Sequence, residues 1–350
     1  MSHLFESLKM GQLTLENRVI IAPMCQYSAD EGAATDWHTL HWGRLALSGA
    51  GLFILEATAV NPTGRITYAD LGLWDDRTEQ AIAKSLAVAR RYSTMPIAIQ
   101  LSHAGRKAST QKPWDGGNII AADQPNGWQP VAPSPIPFTL DGPRPEAASI
   151  IDIGHIVAER LGIDAIEVHA AHGYLIHQFL SPLSNQRDDQ YGGSIENRMR
   201  LLLEIIDAIR AAVSDKITLG VRISATDWVD GGWDLEQSII LAKALTVKGC
   251  QFIHVSTAGL SPQQQIPVAP EFQVPFADAI KHAVDIPVIA VGLIDKPKAA
   301  DEIIATGKAD AVALARGILY NPHWVWHAAA ELGAQVTAPP LVTSWYAFAH

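Results

Sequence analysis

The sequence predicts an α/β chain folded as a single (β/α)8 barrel over residues 1–350, opened by a β-hairpin cap and carrying a long excursion after the third strand. Two observations carry this. Eight short apolar, β-rich runs alternate with amphipathic helical stretches, and several runs are continuous rather than alternating, as parallel strands covered on both faces require. No Pro- or Ser-rich linker divides the chain, and parallel barrels commonly use this much chain as one domain.

In order along the chain, LKMGQLTLENRV reads as a hairpin turning at Gly11–Gln12, placed to plug the barrel's bottom. The predicted strands are Arg18–Ala22, Leu52–Ala57, Ile97–Leu101, Ala165–His169, Ile217–Ile223, Phe252–Ser256, Val288–Val291 and Ala311–Ala315. Between them lie helical patterns at Thr78–Tyr92, Asn197–Ser214, Leu235–Lys248, Val274–Val284 and Lys296–Thr306. Ser194 and Glu196 open one helix and Gly249 closes another. The Pro/Gly/Trp-rich stretch Gln111–Pro145 is too long for a plain connection and is placed to cover the top as a lid. A helix over Ser149–Arg160 would then return the chain to strand four, at about 18 Å long.

Hydrophobic content of 48% supplies a large core, and a charged fraction of 18% argues against disorder. A net charge of −10 makes nucleic acid and anionic membranes unlikely partners, so a ligand phosphate must be held by helix N-termini or single arginines. The two cysteines, the polar N-terminus and the lack of an apolar run of ~20 residues lead to the expectation of a soluble, cytoplasmic protein.

In such barrels catalytic groups sit just past the strands, at the C-terminal face. Those positions hold Pro23-Met24-Cys25, Ala57-Thr58, His103 to Arg106, His169 to Tyr174, Arg222, Ser256, Gly292 and Arg316. His169 and His172 admit three readings: loop histidines satisfied by backbone, metal ligands, or paired N–H donors to an oxygen that gains negative charge. No H-E-x-x-H or cysteine cluster supplies further ligands, so no metal is expected. A metal-dependent barrel hydrolase drawing on His38, His41, His169 and His172 stands as the rival, with a non-catalytic binding barrel behind it. Taken alone, Tyr174 reads as packing and Cys25 as a small buried hydrophobe. Arg222, on strand five inside an apolar barrel, would be costly to bury without an anion. Gly292 and Ala315-Arg316-Gly317 fall where these barrels often bind phosphate.

The stretches NRVIIAPMCQYSA (17–29), LEATAVNPTGRI (55–66), IQLSHAGRKAS (99–109), EVHAAHGYLIHQFLSPLSNQRDDQYGGSIENR (167–198), GVRIS (220–224), AVGLI (290–294) and ADAVALARGILYNPHW (309–324) together resemble the old yellow enzyme family of FMN-dependent ene-reductases. PMCQY and HAGRKA resemble the subgroup that includes the bacterial xenobiotic reductases. The resemblance implies that His169 and His172 bind the carbonyl oxygen of an α,β-unsaturated substrate and that Tyr174 protonates its α-carbon. It implies that Cys25 tunes the flavin and that Tyr27 contacts substrate. Pro23, Met24, Cys25 and Ala57 would lie against the ring, Gln100 at its pyrimidine edge, and Arg222 beside N1–C2=O. Gly292, Ala315 and Arg316 would hold the phosphate. The resemblance further implies ping-pong turnover in which NADPH, in preference to NADH, reduces FMN. An enone, enal, maleimide or nitro compound then takes the reductant's place over the same flavin face, which agrees with the missing G-x-G-x-x-G. Asn185, Arg187, Asp189, Tyr191 and Ser194 read as a structural loop and helix cap. A homodimer or higher homo-oligomer follows from family habit, and Trp345 and Tyr346 are candidates to wall the site. The segment between strands three and four reads ~10–15 residues shorter than in relatives.

Overall fold

The computed structural model describes residues 2–139, 142, 144–147 and 161–337. Strands β1 (Leu8–Met10) and β2 (Leu13–Leu15) pair antiparallel with Met10 opposite Leu13. The connection is thus the two-residue turn Gly11–Gln12, with Gly11 in the left-handed region at φ +58°. Then follow β3 (Val19–Ile21), β4 (Leu52–Ala59), β5 (Ile97–Ser102), the short pair β6 (Val131–Ala132) and β7 (Glu146–Ala147), β8 (Ala165–Ala170), β9 (Thr218–Ser224), β10 (Phe252–Ser256), β11 (Val288–Ala290) and β12 (Ala311–Leu314). Strands β3, β4, β5, β8, β9, β10, β11 and β12 close into a parallel barrel in that order. These are the eight apolar runs, with ends shifted by one or two residues.

The barrel's lower interior is an apolar cluster in which Ile20, Leu52, Ile54, Ala98, Ala165, Phe252, Ile289 and Ala311 pack with Met10 and Leu15 of the hairpin. The hairpin therefore closes the bottom, and Thr218 Oγ ties it down by donating to the Met10 carbonyl at 2.9 Å. Strand β9 contributes Gly220 at this level. A Cβ there would lie 2.3 Å from the Phe252 ring, so the glycine makes room for the phenyl group.

Helices α1 (Asp36–Ala46), α2 (Asp76–Arg90), α3 (Leu175–Leu180), α4 (Ile195–Ala212), α5 (Leu235–Val247), α6 (Val274–Lys281), α7 (Pro297–Ala305), α8 (Arg316–Tyr320) and α9 (Trp324–Leu332) surround the strands. Their starts show the expected chemistry: Asp75 accepts from Thr78 N at 2.8 Å, and Ser194 accepts from Asn197 N. Gly249 follows α5 at φ +79°. The five helical patterns correspond to α2, α4, α5, α6 and α7, whereas α1, α3, α8 and α9 were not singled out. The expected helix at 149–160 lies outside the described residues, as do Trp345 and Tyr346. Among the described residues, no helix is long and apolar enough to cross a membrane.

Candidate active site

Along β5, β8, β9 and β10 the inward positions change character with height, because every second residue of a strand faces the same way. Above Ala98, Ala165, Gly220 and Phe252 stand Gln100, Glu167, Arg222 and His254, all buried. Above these come Ser102, His169, Ser224 and Ser256. Parallel registers put Gln100 beside Glu167 and Arg222 between His169 and His254.

His169 ends this ladder on β8. Its Nδ1 accepts from Ala171 N at 3.2 Å, so the neutral ring carries its proton on Nε2. His172 sits in a left-handed turn at φ +58°, and its backbone N–H donates to Ser224 Oγ at 2.9 Å. Its Nε2 lies 2.8 Å from Ser256 Oγ. Gln273 Oε1, which Ser256 also approaches at 3.2 Å, accepts the Thr257 hydroxyl at 2.7 Å. Ser256 thus anchors the His172 ring, and the ring's tautomer follows which partner takes the single Ser256 proton. Burial, followed by Arg222, holds both imidazoles well below their usual pKa, so they are neutral and each offers one N–H.

The ring of Tyr174 stands edge-on to His169 at 4.9 Å, and the rings of His169 and His172 are 5.2 Å apart. Burial, then Cys25, Tyr27 and Asp70, push the Tyr174 phenol well above its usual pKa, with Arg222 opposing. The Lys107 ammonium lies 5.0 Å over this ring and donates to the His172 and Gly259 carbonyls at 2.9 and 3.0 Å. Burial and neighbouring Arg106 lower the Lys107 pKa to about 8.

After β3, Pro23 is buried and Met24, Cys25 and Tyr27 are half-buried. Both cysteines are free thiols. Burial, with Asp70 and Glu56, raises the Cys25 pKa well above normal, against hydrogen bonds from the Ala57 backbone and Tyr27. The structure thus joins Cys25, Tyr27 and Ala57 as the sequence grouped them. Arg222 feels Glu167, Cys25 and Tyr174, which connects this group to the histidines. Gln100 sits deeper, donating from Nε2 to Glu167 Oε1 at 2.7 Å. Gly292 and Arg316 each fall two residues beyond adjacent strands β11 and β12, on one rim. Ala315 is the residue before α8, and Arg316 is exposed.

The excursion reaches over this mouth. Trp114 stacks edge-on against Tyr27 at 6.0 Å, and Phe138 lies 4.9 Å from Lys107 Nζ. A cavity of about 810 Å³ is lined by Tyr27, Arg65, Tyr68, Trp74 and Trp128 among others, and one of about 740 Å³ by Arg106, Lys107 and Phe138 among others. Among the described residues, no group of three or more His, Cys, Asp or Glu side chains is arranged to hold a metal.

Several residues here carried no role in the sequence reading. Lys107, Glu167 and His177 lay inside the quoted motifs, and His254 lay on a predicted strand. Behind the turn, His177 Nδ1 accepts from Gly173 N at 2.9 Å while its Nε2 faces Asp227 Oδ1 at 2.9 Å. Asp227 also accepts from Ser181 Oγ at 2.6 Å and Trp233 N at 2.7 Å.

The described family NADH:flavin oxidoreductase / NADH oxidase matches residues 3–129 and 156–335. The unmatched interval, 130–155, lies within the segment between strands three and four that reads as short. A NADPH dehydrogenase of Listeria innocua is 42% identical over 350 residues, covering 97% of this chain and 98% of the relative. An NADH:flavin oxidoreductase of Gibberella zeae is 42% identical over 358 residues, covering 95% of this chain and 86% of the relative. Among solved structures, morphinone reductase in complex with tetrahydroNAD superposes with a TM-score of 0.74 at 29% identity, covering 99% of this chain and 94% of that one. A 2-naphthoyl-CoA reductase superposes with a TM-score of 0.81 at 26% identity, covering 92% of this chain but only 51% of that one.

Proposed function

This chain belongs to the NADH:flavin oxidoreductase / NADH oxidase family, and from that premise we propose that it reduces the activated C=C bond of enones, enals, maleimides or nitroalkenes by a ping-pong route. It is an FMN-dependent oxidoreductase with a nicotinamide reductant. The residues present fit FMN. Arg222 is buried with an Nε that has no hydrogen-bond partner, which suits an electron-rich ring edge placed beside it. Gly292, at φ +129°, and the start of α8 share one rim that suits a phosphate. Pro23, Met24, Cys25, Ala57 and Gln100 would meet the ring, and Ala315 and Arg316 the phosphate. Bound at these residues, FMN would supply the hydride chemistry that links NADPH oxidation to reduction of the alkene's β-carbon.

The remaining work falls to side chains. His169 Nε2–H and the imidazole N–H of His172 bind the substrate's carbonyl or nitro oxygen and stabilise the negative charge that grows there. Tyr27 and Tyr174 line the bound substrate. Tyr174, its proton held firmly by burial, delivers H⁺ to the α-carbon of the strongly basic enolate. Cys25, kept as a thiol, modulates the flavin rather than attacking substrate. The cluster of His169, His172 and Tyr174 rings within 5.2 Å carries this reading.

The visible spectrum of the purified protein, followed by NADPH oxidation over an enone panel, tests it. Tyr174→Phe should slow the alkene half-reaction while sparing flavin reduction. Equal loss in both half-reactions would refute the proton-donor role, and a colourless protein that FMN does not reconstitute would refute the site.

A further inference from the structure

The middle layer of the barrel holds a chain of polar groups that the mechanism above does not use. Gln100 Nε2 donates to Glu167 Oε1 at 2.7 Å, and Glu167 Oε2 lies 2.8 Å from His254 Nδ1. Glu167 and His254 are fully buried. The Gln100 amide and the His254 ring bracket both oxygens of Glu167, so this layer sets one carboxyl against the guanidinium of Arg222. With Nδ1–H committed to Glu167, a neutral His254 presents its bare Nε2 inward. That atom and Arg222 Nε are both buried without a hydrogen-bond partner, and the two residues are register partners on β9 and β10. The same geometry fixes the Gln100 amide, because only its NH2 can face a carboxylate. Its carbonyl Oε1 must then turn away from Glu167.

We infer that Glu167 and His254 are positioning residues for the flavin: Glu167 orients Gln100 as an acceptor toward the ring and offsets the charge of Arg222, and His254 holds the Glu167 carboxyl in place. This rests on the reading that FMN lies over Arg222 and Gln100. Reduced flavin is more negative than oxidised flavin, so the cation of Arg222 raises the midpoint potential and the anion of Glu167 lowers it. The balance between the two charges sets how readily the bound flavin gives up hydride.

The test uses holoenzyme, with the FMN midpoint potential read by dye equilibration and FMN release followed by fluorescence. E167Q should shift the potential upward and release FMN roughly tenfold faster, since a charged hydrogen bond orienting Gln100 is replaced by a neutral one. In a Q100A background E167Q should add no further increase in release, because the two act through one contact. H254L should shift the potential in the same direction as E167Q, since a Glu167 carboxyl no longer held by His254 is free to swing away from Arg222. H254N, which still offers an N–H to Glu167, should restore the parent potential. Should E167Q fail to fold, the H254L and H254N pair carries the test alone. R222M separates the two levels of the claim. A downward shift in R222M with no shift in E167Q or H254L overturns the roles of Glu167 and His254 while keeping FMN over this layer. No shift in any of the three overturns the placement of FMN itself.

Discussion

The turn that presents His172 and Tyr174 rests against the loop after β10, and Gly259→Ala tests how closely. Gly259 has φ +95°, and a Cβ built on it would lie 2.5 Å from the Cα, carbonyl carbon and carbonyl oxygen of His172. Ordinary contact begins near 3.4 Å, so the two backbones must part by roughly 1 Å. Lys107 bridges the same two carbonyls, and its ammonium would lose one of them. A displacement of ~1 Å at groups that orient a reacting atom can cost about 10²-fold in rate. G259A should therefore slow the alkene half-reaction by about that factor. It should also weaken binding of a phenol, whose oxygen mimics the enolate, by about tenfold or more. The left-handed φ itself costs roughly 1–2 kcal/mol in stability. Gly307, after α7 at φ +73° with nothing within 4 Å of its Cβ, is the control, because G307A carries the strain without the clash. Stopped-flow flavin reoxidation by an enone and a visible phenol titration read the outcome. Parent-like phenol affinity and reoxidation in folded G259A would show that Gly259 does not set the position of His172.

Three further outcomes follow from the same contacts. Ser256→Ala removes the hydroxyl that anchors the His172 ring and should weaken phenol binding by up to about tenfold while leaving the melting temperature within a few degrees; tighter or unchanged binding would contradict that anchoring role. Asp227→Asn breaks the buried pair with His177 and should cost about 3–5 kcal/mol in denaturant unfolding, with the Gly173 turn loosened, and a loss below ~1 kcal/mol would show that the pair is not needed. Burial raises the Glu56 pKa from 4.5 to about 8, the opposing hydrogen bond from Gln26 and the reinforcing charge of Asp70 being smaller. The folded state thus holds this proton more tightly than the unfolded chain. Its contribution is full below pH 4.5 and is lost as pH rises through about 8, by up to about 5 kcal/mol. Burial likewise keeps His38, 3.5 Å away, neutral with a pKa of about 4. Glu56→Gln cannot ionise, so its stability relative to the parent should improve steadily from pH 5 to 9. A pH-independent difference would mean that Glu56 is already ionised in the fold.

The fold was legible because barrel strands are buried on both faces, which leaves continuous apolar runs such as VIIA (19–22) and AVALA (311–315) with little ambiguity. The helices that were missed lack that clarity for separate reasons. In α1, DWHTLHWGRLA mixes Trp, His, Thr and Gly, all modest helix formers, and its buried side includes His38, His41 and Trp42 rather than an aliphatic stripe. In α9, WVWHAAAEL buries residues at five of its nine positions, so no polar face marks the period. Helix α3 begins immediately after Tyr174 and was absorbed into the signature stretch around it.

The candidate site was legible mainly at its rim, with Gln100 and Arg222 the exceptions below it, and the reason lies in how a parallel barrel is filled. Reading the residues just past each strand finds His169, Cys25 and Arg316, because that face is where loops bring chemistry together. It does not find Glu167 or His254. Each is one residue inside a strand whose neighbours are Ile, Val and Phe, where a single polar letter looks like a tolerated exception. Lys107 is hidden differently, since its partners are the carbonyls of His172 and Gly259, and backbone oxygens leave no mark on a sequence. Glu167 and His254 have one cause in common. On β5, β8, β9 and β10 the barrel gives up apolar packing one layer below the rim and accepts buried charge there. Buried charge survives only when paired, so a polar residue deep in a barrel strand should be read together with the inward residues of the adjoining strands. Applied here, that rule links Gln100, Glu167, Arg222 and His254 from sequence alone, once the eight strands and their parallel order are fixed.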